Sequence, residues 1–216
     1  MNLIQIILLF TLIVPFCIAE QSVVDYCVAN LTLPKTPGGY PCIDENKLTS
    51  NDFVFTGFHS PGNTSESVFK SSVIRANDDT FPALNGLGLA MSRIDIAVGG
   101  VVPIHTHRVS EIIIVIEGTI IAGFIGTNHT AYYKTLYKYD VMIFPHSLLH
   151  FQVNVGDTPA LAFVSLNSAN PGFQTTSLAL GANDLPTEIV SKITLLDEEE
   201  VRRLKAIFNG TNDLIL

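Results

Sequence analysis

Gly99-Gly-Val-Val-Pro-Ile-His105-Thr-His107-Arg-Val-Ser-Glu111-Ile-Ile-Ile-Val-Ile-Glu-Gly118 is the stretch whose reading decides the fold. His105, His107 and Glu111 are separated by even steps, and on an extended strand alternate side chains share a face. A continuous strand therefore predicts all three on one side. Ile112, Ile113, Ile114, Val115 and Ile116 follow directly, and such a β-branched run favours a buried strand over a helix. Two imidazoles and a carboxylate turned into an apolar interior would be costly if left unpaired. A bound cation satisfies all three at once.

A fourth ligand is expected downstream. Tyr139-Asp-Val-Met-Ile-Phe-Pro145-His-Ser-Leu-Leu-His150-Phe-Gln-Val-Asn154 reads as strand, turn, strand. In the second strand His150, Gln152 and Asn154 share a face, with Phe151 and Val153 on the other. A hairpin there predicts His150 beside the first trio, completing three imidazoles and one carboxylate. Gln152 and Asn154 either orient a ligand or cap the strand. His59, His129 and His146 read as loop residues. Zinc, iron, manganese, copper and nickel all suit such a donor set, and affinity alone does not separate them.

The first stretch fits the cupin pattern Gly-x5-His-x-His-x3-Glu-x6-Gly without a gap, from Gly99 to Gly118. The second matches Gly-x5-Pro-x-Gly-x2-His-x3-Asn at Pro145, His150 and Asn154, with Tyr139 and Ser147 where the pattern has glycine. A bulky residue at a glycine position with positive φ puts the local turn geometry in question. The chain resembles plant germin-like proteins, close to the auxin-binding germin-like group. Val24-Asp-Tyr-Cys27-Val-Ala-Asn30, Thr36-Pro-Gly-Gly-Tyr-Pro-Cys42, Gly86-Leu-Gly and Asn183-Asp-Leu-Pro186 extend the likeness over nearly the full length.

Short β-rich runs recur over residues 53–168: 53–55, 67–74, 89–96, 111–116, 119–124, 132–136 and 160–166. Turn residues punctuate them, which predicts an all-β sandwich or closed barrel without choosing between the two. The jelly-roll barrel, at about residues 53–170, is what the cupin resemblance implies. A helical tail at about 184–210 follows. Its last helix opens on Asp197 with Glu200 three residues later, a capping box, and ends at Asn209-Gly210. Val201, Leu204, Ile207 and Phe208 form its apolar stripe. A shorter helix is expected over residues 186–192.

The uncharged apolar run at residues 3–18, ending at Cys17-Ile-Ala19, reads as a signal peptide over residues 1–19. It is short for a membrane span, and Glu20-Gln-Ser follows at once. The remainder, 20–216, is expected to be one germin-like domain. Beyond the signal only Cys27 and Cys42 remain, and an even pair in an exported chain predicts one disulfide. Closing such a loop is worth roughly 3 kcal/mol. Sequons stand at Asn30, Asn63, Asn128 and Asn209, with Asn63 the first expected to carry glycan. Twelve basic against twenty acidic residues give a net charge of −8, which leaves no basic face for nucleic acid.

The resemblance implies one manganese ion per chain and a homohexamer built as a trimer of dimers. It also implies a secreted, extracellular location in the apoplast or cell wall, with a role in defence or development. Three functions follow: manganese superoxide dismutase-type redox chemistry, metal-assisted binding of a small carboxylate such as auxin, or a non-enzymatic cell-wall or receptor-like glycoprotein. Oxalate oxidation is disfavoured. Oxalate-oxidising germins place asparagines where this chain has Ser92 and Val102.

Overall fold

Alternation of apolar and polar residues over residues 71–175 produces ten strands. They are β1 (Ser71–Ala76), β2 (Ala90–Ile96), β3 (Val101–Thr106), β4 (Glu111–Glu117) and β5 (Ile120–Ile125), then β6 (Ala131–Leu136), β7 (Val141–Phe144), β8 (Leu149–Asn154), β9 (Ala160–Leu166) and β10 (Gln174–Thr175). The structure is a computed structural model that describes residues 24–211. The signal peptide expected at residues 1–19 lies outside the described residues.

All pairings are antiparallel, in two five-stranded sheets ordered β1-β2-β9-β4-β7 and β10-β3-β8-β5-β6. Their inner faces meet in one core that includes Ile94, Ile96, Val102, Ile113, Val115, Ile120, Phe144 and Val164. Register explains which side chains enter it. Ser92 and Ile113 both pair with Val164, and Arg75 pairs with Ser92, so these four stand in one inward-facing row. This is the jelly-roll barrel that the cupin resemblance implied.

The loop closed by Cys27 and Cys42 forms as expected. It is held to the barrel by backbone hydrogen bonds, among them Ala29 N–H to Pro82 O. Residues 53–55, expected as a strand, are not one: Ser50–Phe53 is a 3-10 turn. Asp52 there accepts hydrogen bonds from Thr49, so local side-chain bonding overrides the strand propensity of Phe53, Val54 and Phe55. Phe55 and Phe58 instead pack edge to face, and Phe58 covers Phe163 on the outside of β9.

Three helices follow: α1 (Thr176–Gly181), α2 (Thr187–Thr194) and α3 (Glu198–Phe208). The cap at Asp197 is present, its side chain accepting from Glu200 N–H, and Asn209 ends the helix in the left-handed region. The reciprocal half of the box is absent, because the Glu200 carboxylate bonds Arg203. Of the expected stripe, Val201 is buried and Phe208 stacks on Phe69, whereas Ile207 is exposed. Helix α1 was not anticipated. Its six residues, Thr-Ser-Leu-Ala-Leu-Gly, are too few to display a helical period. Among the described residues no helix is long and apolar enough to cross a membrane.

Candidate metal centre

His105, His107, Glu111 and His150 come together, although not by the predicted route. They do not lie along one continuous strand. β3 ends at Thr106 and β4 begins at Glu111, on the opposite sheet. His105 sits on β3 after a register shift between Val102 and His105, which sets it directly across from His150 of β8. His107 follows the end of β3, and Glu111 faces the imidazoles from across the barrel. Likewise β7 and β8 are not a hairpin. β7 pairs with β4 and β8 with β3 and β5, so the turn between them crosses from one sheet to the other.

Each imidazole is fixed by its Nδ1 donating to a backbone carbonyl. His105 reaches Pro103 O at 2.8 Å, His150 reaches Leu148 O at 2.9 Å, and His107 bonds Gly172 O. A carbonyl cannot donate, so Nδ1 carries the proton and Nε2 presents a lone pair. The three Nε2 lone pairs and the Glu111 carboxylate converge, with all four ligand atoms within 4.8 Å of one another. Imidazole and carboxylate ligands bind divalent ions at about 2.0–2.2 Å, so opposite ligands stand no more than about twice that apart. The cluster is already close to that span.

The fit to a cation is further tested by what is left unpaired. His150 Nε2 is buried with no hydrogen-bond partner among the described residues. The His107 Nε2 to Glu111 Oε2 approach of 2.9 Å is attractive only with a proton or a cation between lone pair and carboxylate. Burial, and then its neighbour His150, hold His105 down at about 3. For Glu111 burial acts upward, but the His107 and His150 side chains that face its carboxylate outweigh it and bring the carboxyl to about 2. Neutral imidazole and ionised carboxylate are the states that ligation requires.

Packing immobilises the set. Phe144, which pairs with Glu111, stacks on the His150 ring with centroids 4.5 Å apart. Phe173 lies 4.9 Å from the His105 ring. Beside the cluster opens a cavity of about 220 Å³, walled by Val73, Ile94, Val102, Val164 and Leu166, with Ser92 and Arg75 among its polar groups. Both positions read against oxalate oxidation, Ser92 and Val102, thus face the site.

The motif departures are resolved by backbone conformation. Tyr139 has φ of 72° and Ser147 of 60°, so both hold the left-handed conformation that glycine would adopt there. Both are exposed and His150 is still delivered to the cluster. Asn154 is structural: its amide donates to Ile96 O, Ala97 O and Thr158 O. Gln152 is fully buried, and neither of its side-chain polar atoms has a partner among the described residues. His59, His129 and His146 are exposed, as expected of loop residues.

A cupin family model matches residues 56–202. The auxin-binding protein ABP20 of Prunus persica is 48% identical over 206 residues, covering 95% of this chain and 96% of that one. Germin-like protein subfamily 3 member 3 of Arabidopsis thaliana is 47% identical over 211 residues, covering 97% and 99%. The chain belongs to the germin-like cupins. A solved oxalate oxidase shares this germin-like barrel with a TM-score of 0.82 and 32% identity, covering 86% of this chain and 96% of that one. In this germin-like chain sequence reasoning missed Arg75 and Phe173 at the cavity. Arg75 carried a signal, as a charge alternating with Val73 on one strand face. Phe173 carried none, since the Pro171-Gly-Phe loop has no period.

Proposed function

We propose that this chain is a secreted, manganese-binding germin-like glycoprotein of the extracellular matrix with superoxide dismutase-type redox activity, acting in defence or development. The carrying observation is the convergence of three backbone-fixed Nε2 lone pairs on an ionised Glu111. His105, His107, His150 and Glu111 would hold one ion per chain. Manganese, bound there, would supply one-electron redox chemistry, and four protein ligands leave a six-coordinate ion two positions for small molecules. Phe144 and Phe173 keep the imidazoles in place. Oxalate oxidation is a poor fit, because Val102 offers the cavity no hydrogen-bond donor and Ser92 only a hydroxyl.

The manganese-loaded protein should dismute superoxide, and His150→Ala should abolish both metal retention and activity. Stoichiometric manganese in a sample without activity would overturn the redox assignment. A second reading, metal-assisted binding of a small carboxylate such as auxin, is favoured by the apolar cavity and by the auxin-binding name of the Prunus persica relative. Equilibrium binding of auxin that persists in His150→Ala would contradict that version.

Exposed side chains at Asn63, Asn128 and Asn209 support glycosylation there, and Asn30 is half-buried. Assembly into a homohexamer is supported by the outer face of the first sheet, where Met91, Ile112 and Ile143 lie in register around Ser165 and are 38%, 44% and 52% exposed.

A further inference from the structure

Arg75 is an exposed, charged residue lining the cavity, beside apolar Val73, Ile94 and Val164 and the uncharged polar side chains of Asn77 and Ser92. It lies on β1, the edge strand, paired with Ser92 and in the same inward row as Val164. Its backbone is held by the Thr80 hydroxyl, which donates to Arg75 O at 2.7 Å. Among the described residues no acidic side chain pairs with its guanidinium. The guanidinium carbon instead sits 5.2 Å from the centroid of Phe173. The same ring stands 4.9 Å from His105 and 5.6 Å from His107. Cation, aromatic ring and imidazoles thus follow one another from the cavity mouth to the cluster.

Among the described residues Arg75 is the only lysine or arginine lining this cavity. The chain as a whole carries a charge of −8, which opposes the approach of an anion. At physiological ionic strength charges farther than about 8 Å are largely screened, so the local cation governs what enters. The volume of about 220 Å³ lies below the range typical of drug-sized ligands, about 300–1,000 Å³, and suits a ligand of few atoms.

We propose that Arg75 is the anion-selecting residue of this cavity, drawing a small anion in and hydrogen-bonding it at the mouth, on the path to His105, His107 and Glu111. The inner half of this assignment rests on the metal-centre reading above. Phe173, 5.2 Å from the guanidinium carbon, steadies the cation by its ring face and takes up none of its N–H groups as an acceptor of a conventional hydrogen bond. Two sources share this chemistry, superoxide and a small carboxylate.

The test titrates azide and acetate into manganese-loaded and metal-stripped protein, as wild type, Arg75→Ala, Arg75→Lys and Arg75→Glu. Metal content is measured on every sample first, and binding is read by calorimetry and by the manganese electron paramagnetic resonance signal. Loss of a charge-assisted hydrogen bond should weaken anion binding about 10-fold or more in Arg75→Ala, with metal content unchanged. Arg75→Glu should weaken it further, and Arg75→Lys should retain azide better than acetate, lacking the planar fork. A loss confined to acetate assigns the cavity to carboxylates. A loss confined to azide, with a slower superoxide reaction whose ionic-strength dependence is reversed in Arg75→Glu, assigns it to superoxide. Equal affinities in all four loaded proteins overturn the proposal and leave Arg75 as an edge-strand guard against self-association. A wild type that takes up no metal overturns the metal-centre reading. The Arg75 assignment then fails as well if the stripped wild type and Arg75→Ala bind azide equally.

Discussion

Two segments carry the chain into the candidate metal site, residues 99–118 with His105, His107 and Glu111, and residues 139–154 with His150. Both turn through left-handed backbone, but they do so with different residues. The first uses Gly99 at φ 67° and Gly118 at φ 80°, the second Tyr139 and Ser147 at similar angles. The surroundings explain the difference. A Cβ added at Gly118 would meet Ala160 Cα at 2.8 Å, whereas the Tyr139 side chain stands 67% exposed. Glycine is thus demanded by close approach of backbone, and a positive φ by itself is tolerated at a modest cost. Gly99 sharpens the point, since nothing lies within 4 Å of its added Cβ.

The comparison breaks most visibly at the ligands. Glu111→Gln keeps the shape of the first segment but removes the ionised oxygen that faces two imidazoles. Losing even a supporting partner of a ligand typically costs 10–100-fold in metal affinity, so this variant should lose about 100-fold or more. Competition with a chelator measures it, and retention of wild-type affinity would remove Glu111 from the site.

Acid should act on the same segment in the metal-stripped protein. His105 lies at about 3 against an ordinary 6.5, and Glu111 at about 2 against 4.5. Both are depressed on folding, so the unfolded chain takes up each proton first. Their contribution is complete above the unfolded values and is lost as pH falls, first between 6.5 and 3 through His105. Below 4.5 Glu111 adds to it. The slope is about 1.4 kcal/mol per pH unit for each group that protonates only in the unfolded chain. Thermal melts at pH 7, 5.5 and 4 should show a steady fall in Tm. His105→Gln should flatten the upper part of that curve, and an unchanged slope would remove His105 as its source.

Smaller effects separate the turns. Gly118→Ala adds overpacking to backbone strain and should destabilise by about 2–4 kcal/mol, while Gly99→Ala, meeting open space, should cost about 1 kcal/mol. Equal losses in denaturant melts would refute the close-approach account. In the second segment Tyr139→Gly and Ser147→Gly should each stabilise by about 0.5–1 kcal/mol, because relief of left-handed strain outweighs the greater chain entropy of glycine.

Much of this was legible in the sequence, for reasons that differ by element. The strand set and the burial of His150, Gln152 and Asn154 follow from period-two alternation, which is local. That His105, His107 and Glu111 meet was also read correctly, but the even spacing was the wrong cause. A register shift in β3 and a crossing between sheets over residues 107–110 bring them together. Such nonlocal events leave no periodic trace. The same holds for β7 and β8, which look like a hairpin and belong to different sheets. Arg75 was overlooked because the strand was read as ending at Ile74, one residue before the charge that breaks its pattern.

The most direct test of the central claim, that the cluster is a working metal centre despite the missing glycines, is metal content per chain by plasma mass spectrometry. Wild type and the Tyr139→Gly, Ser147→Gly double variant should be compared after secretion from a eukaryotic host and dialysis without chelator. One manganese per chain in both is the predicted result. A wild type far below one ion per chain, restored by the two glycines, would show that the second segment fails to deliver His150 as described.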